Sequence, residues 1–128
     1  MSFTLQKLAD APAILLTLSS GYNLFVDFPK SYAAVYEMLD SVDEPVYYIL
    51  DLSALSLDMN LIMQGASSTS RGSQASFHHP KVKAVLMVSP AEVIHVAAEG
   101  LRTEIYGNVE AKTFYSLEDA LAYARSNP

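Results

Sequence analysis

A length of 128 residues predicts one domain spanning 1–128, large enough to bury its own core, and 51% apolar residues rule out a disordered chain. Eight Lys and Arg against 14 Asp and Glu give a net charge of −6, which argues against binding a nucleic-acid backbone or an anionic membrane. With no cysteine there is no disulfide, thiolate metal ligand or thiol nucleophile, and neither a signal peptide nor a spanning run is legible, so a soluble cytoplasmic protein is expected.

Strands are expected over 3–9 and 13–19. Ala9-Asp10-Ala11-Pro12 between them has turn chemistry, because Pro presets φ and Asp bonds the nearby backbone. The second run, AILLTLS, is the more apolar, so a hairpin is expected with its second strand more buried. After a loop at Gly21-Tyr22-Asn23, Asp27-Phe28-Pro29 marks a helix start, since Pro at the first turn has no N–H to lose. Tyr32, Val35, Tyr36 and Leu39 follow at helical spacing as one apolar face, and Asp43-Glu44-Pro45 ends the helix.

Residues 46–52 are nearly all apolar, the pattern of a central strand covered on both faces. A helix is expected over 58–76, with Met59, Ile62, Met63 and Ala66 as its apolar stripe and a polar second half weakened by Gly65 and Gly72. A buried strand follows over 81–88. Ser89-Pro90-Ala91-Glu92 then predicts a helix with Ser89 as cap, Pro90 first and Glu92 closing a capping box, facing the core with Ile94, Ala97, Ala98 and Leu101. Gly107-Asn108 makes a turn, 109–115 a last strand, and Ser116-Leu117-Glu118-Asp119 caps a final helix with Ala120, Leu121 and Ala124 inward.

The order β-β-α-β-α-β-α-β-α predicts an α/β fold: a single-layer, mainly parallel sheet with an N-terminal hairpin and helical cover. Its pieces are the opening hairpin, the strand YYILDLSAL with a helix beginning after it, KVKAVLMVSP before a helix, and the ending AKTFYSLEDALAYARS. On these residues the chain resembles the STAS-like superfamily, especially its SpoIIAA-like branch, the domain of anti-sigma-factor antagonists, and the resemblance covers nearly the whole chain. In phosphorylatable antagonists the strand leads to Asp-Ser-Ser/Thr-Gly, whose first Ser accepts phosphate. Here Asp58 is followed by Met59, Asn60 and Leu61, so the acceptor hydroxyl and the Gly are both missing. Ser53, Ser56, Asp58 and Met59 are therefore the candidate regulatory turn, with Ser56 and Asp58 read first as helix caps.

Other constellations are weaker. His78 and His79 are neighbours and point apart, which makes a poor chelate. Glu92, His95 and Glu99 share a helical face and can mimic a metal site, although such a row is more often a solvated set of side-chain pairs. Gly65 to Gly72 lacks the Lys-Ser/Thr of a phosphate loop, and neither a G-x-S-x-G elbow nor a dinucleotide fingerprint is present. No catalytic set, cofactor or metal is expected. The resemblance implies a non-enzymatic regulatory or protein-interaction module, with a protein partner or self-association as a homodimer. The alternative is a small apolar-ligand or lipid carrier whose pocket, between the helix over 58–76 and the next one, is lined by Met59, Ile62, Met63 and Ile94.

Overall fold

The structure, a computed structural model, describes residues 2–22, 26–55, 76–104 and 108–128. Five strands form one sheet in the order β1-β2-β3-β4-β5. They are β1 (Phe3–Lys7), β2 (Ala13–Leu18), β3 (Val46–Asp51), β4 (Val82–Val88) and β5 (Ala111–Phe114). β1 and β2 are antiparallel, and β2 to β5 run parallel. The described helices are α1 (Phe28–Ser41), α2 (Glu92–Leu101) and α3 (Leu117–Ser126), with a 3-10 turn at Ser76–His78. The helix expected over 58–76 falls almost wholly outside the described residues.

The β2-to-β5 strands advance across the sheet in one direction. Right-handed crossovers that step one way must all pass over the same face. Accordingly α1 and α2 share a face, packing Val35, Leu39, Ile94, Ala98 and Leu101 against Ile14, Leu16, Tyr48, Leu50, Val85 and Met87. Among the described helices only α3, which follows β5, is free of that constraint. It covers the other face, setting Ala120 and Ala124 on Leu15, Tyr47, Ile49 and Leu86. Every residue of β3 is buried, as its continuous apolar run predicted.

The element ends differ from expectation for local reasons. β1 stops at Lys7 because its register ends at Ile14, and Leu8 N–H then closes the loop onto Ala13 carbonyl at 3.0 Å. On α1 the fully buried row is Ser31, Val35 and Leu39, at strict four-residue spacing. Tyr32 and Tyr36 lie one step round the helix, half-buried and stacked at 6.0 Å. Ser89 does not cap α2. Its N–H still bonds Phe114 carbonyl at 3.0 Å, so it remains part of the sheet, and its hydroxyl accepts the Ala91 N–H at 3.1 Å. The helix starts two residues later than predicted, with Ala91 as an N-cap lacking a side-chain bond. Ser116 does cap α3, accepting the Asp119 N–H at 3.3 Å. Asn108 adopts the left-handed φ of 56° in the turn before β5, a conformation Asn tolerates through its short polar side chain.

A side-chain clasp ties α1 to the start of β4. His79 Nδ1 accepts the Lys81 N–H at 3.0 Å, which leaves the ring proton on Nε2, donated to Asp40 Oδ1 at 2.7 Å. Tyr36 packs edge-on against the ring, and Lys81 Nζ reaches the Asp43 carbonyl. The His79 side chain is 4% exposed and that of Asp40 63%, so the ring carries most of the energy. His79→Ala is expected to lower stability by about 2 kcal/mol through lost packing and an orphaned buried N–H. Asp40→Ala, at the water-facing end of the same bond, should cost about 0.5 kcal/mol. Urea unfolding of the two variants checks this order; equal losses would show that the buried ring is not what holds the clasp.

Candidate functional site

Open parallel sheets present ligand sites at the carboxyl ends of their strands. Here the register aligns Thr17, Asp51, Val88 and Phe114 across that end of β2 to β5. The segments that leave these positions hold the polar groups of interest.

After β3, Asp51 is 9% exposed, and its Oδ1 accepts the Ser53 N–H at 3.0 Å. This is an Asx turn, in which a short carboxylate bonds the backbone two residues on. Leu52 N–H bonds Val88 carbonyl at 2.8 Å, and Leu55 N–H returns to Leu52 carbonyl at 3.1 Å. Asp51 therefore builds the turn, with Ser53 exposed at its tip. Of the candidate regulatory turn, Ser56, Asp58 and Met59 lie outside the described residues. The same holds for Met59, Ile62 and Met63 of the candidate apolar pocket, while its fourth member, Ile94, is 1% exposed within the α1/α2-side core.

After β2, Ser31 Oγ donates to Phe28 carbonyl at 3.1 Å, so its lone pair accepts the Tyr22 hydroxyl at 2.8 Å. Burial pushes the Tyr22 phenol above its ordinary pKa. Beneath it, Tyr48 is 3% exposed, and burial, with Tyr22 and Tyr32 nearby, pushes its phenol far up.

The densest polar group among the described residues joins β4, α2 and the end of β5. His95 Nε2–H donates to Ser89 carbonyl at 3.0 Å, and the imidazole stacks on Tyr115 at 3.9 Å between centroids, 18° from parallel. Tyr115 hydroxyl donates to Glu92 Oε2 at 3.0 Å, and that bond to a carboxylate raises its pKa. The predicted row of Glu92, His95 and Glu99 is thus real on α2, but the first two are engaged by Ser89 and Tyr115. Its third member joins a groove of about 540 Å³, lined by His95, Ala98 and Glu99 of α2 with Arg102 at its C-cap, by β5 and the Tyr115 that follows it, and by Tyr123 of α3. Sequence reasoning passed over Arg102, Lys112 and Tyr115, because a groove between a strand and two helices leaves no local motif. The available signal was the alternation in AKTF, unlike the unbroken apolar runs of β3 and β4.

Among known proteins, no family model and no curated protein sequence matches the chain. Two solved structures do. An anti-sigma factor antagonist from Mycobacterium paratuberculosis superposes with a TM-score of 0.53 at 18% identity, over 96% of this chain and 92% of that one. An uncharacterized protein of the DUF3478 family with a SpoIIAA-like fold, from Shewanella loihica PV-4, gives a TM-score of 0.53 at 14% identity, over 95% and 91%. The antiparallel opening strand, the four parallel strands and the described helices on the two faces therefore make up a SpoIIAA-like α/β fold.

Proposed function

We propose that the chain is a non-enzymatic regulatory module that works by binding protein, without the phosphoacceptor serine of the phosphorylatable antagonists. The observation that carries this reading is the SpoIIAA-like fold, shared with an anti-sigma factor antagonist over 96% of the chain. Met59 supports its second half, because a thioether takes no phosphate. The polar groups at the carboxyl end of the sheet fit the same view: Asp51, His95 and Glu92 are each spent on a structural bond. The whole of 1–128 acts as one STAS-like domain in the cytoplasm, self-associating as a homodimer. Affinity capture of the tagged chain from its native host, with light scattering on the purified protein, tests this. The expected result is a stoichiometric protein partner or a stable dimer, with no phosphate on Ser53 or Ser56. A chain that is monomeric at every concentration and captures nothing removes the reading.

A further inference from the structure

We propose that the open edge of β5 docks an extended acidic peptide segment, which joins the sheet as a sixth strand. This rests on the reading of the chain as a protein-binding module and names the surface it uses. β5 is the last strand of the sheet, and no described strand pairs with its outer side. Its inward groups are identified by two bonds: Glu110 carbonyl accepts the Val85 N–H, and Phe114 carbonyl accepts the Ser89 N–H, both near 3 Å. Backbone groups alternate along a strand with period two, so Lys112 also turns inward, and Ala111 and Thr113 present N–H and C=O to the open side. Such a row is a template for another strand.

The edge lies in the groove of about 540 Å³ rather than on a bare rim. Glu99 and His95 of α2, with Arg102 at its C-cap, form one wall, and Lys112, with its ammonium 5.7 Å from the Tyr123 ring, belongs to the other. An added strand would place alternate side chains on the two walls. Two of the chain's eight basic residues, Arg102 and Lys112, line this groove against a single carboxylate, Glu99. Neither is in an ion pair among the described residues. Lysine on an edge strand discourages self-pairing, because a second copy would bring two Lys112 and two Arg102 into one groove. A strand carrying Asp or Glu meets the opposite sign. The geometry therefore selects an acidic segment over a second β5.

The test is selection of a phage-displayed library of random ten-residue segments on the whole chain, with counter-selection on Thr113→Pro. Proline there removes an outward N–H and none of the bonds to β4. The expected winners are proline-poor, rich in Asp and Glu, and weakened about tenfold or more by Thr113→Pro. The double variant Arg102→Glu with Lys112→Glu should shift selection towards basic segments, which keeps the proposal testable if the proline variant misfolds. Winners indifferent to charge, or indifferent to both variants, overturn it. So does a dimer that dissociates in Thr113→Pro, since the edge would then belong to a second copy. A host protein captured equally by the wild-type and Thr113→Pro chains removes this strip and leaves the protein-binding reading intact; capture of none by a chain that also stays monomeric removes that reading as well.

Discussion

Ile49→Ala is expected to lower the unfolding free energy by about 3–4 kcal/mol. Ile49 sits mid-strand in β3, the central strand, and is fully buried. It packs with Leu15 and Leu86 from the flanking strands under Ala120 and Ala124 of α3. Those two alanines let the helix approach closely, so few neighbouring side chains are long enough to relax into the space left behind. Both terms of a large-to-small change, lost transfer energy and a residual cavity, then apply. Against a usual total of about 5–15 kcal/mol the loss is about a fifth or more, and it lowers Tm by roughly 10–15 °C. Urea titration with an unchanged m-value checks the magnitude. A loss of about 1 kcal/mol or less would falsify the close packing of α3 on this face.

Stability is expected to fall steeply on the alkaline side, and Tyr48 is the main reason. Its phenol ionises far above the ordinary tyrosine value, because burial penalises the phenolate. In the unfolded chain the same group ionises near pH 10. The folded state thus binds the proton more tightly, so the stabilisation is complete below about pH 10 and is lost as pH rises beyond it. The slope for one such group approaches about 1.4 kcal/mol per pH unit. Tyr48→Phe removes this dependence. Among the described residues the Tyr48 hydroxyl has no hydrogen-bond partner, so at neutral pH the variant should match the wild type or exceed it by about 1 kcal/mol. The measurement is the difference in urea midpoint between the two proteins from about pH 8 to pH 11.5, where lysine titration is common to both and cancels. Parallel curves would mean that Tyr48 reaches water in the native state.

How legible was each part in the sequence? β2, β3 and β4 were found within a residue or so of their ends, because burial on both faces writes a continuous apolar run. α3 was equally clear, since Ser116 and Asp119 encode its cap within four residues. The start of α2 was misplaced by two residues. The Ser-Pro-x-Glu pattern is a local capping signal, and it lost to a sheet bond from Ser89 N–H to Phe114, twenty-five positions away. Among candidate site residues, the Glu92, His95 and Glu99 row was visible as helical spacing, but Tyr115, which engages the first two, lies beyond any helical window.

By itself, then, the amino-acid sequence determined the class of fold, the central place of β3 and the absence of an acceptor hydroxyl at Met59, since each depends on residue type and short-range period. Tertiary structure alone decided which face each described helix covers, that Asp51 is spent on its own turn, and that β5 ends the sheet beside Arg102 and Lys112 with no described strand on its outer side. Those outcomes follow from crossover handedness, strand register and the meeting of distant segments, and no short stretch of sequence contains them.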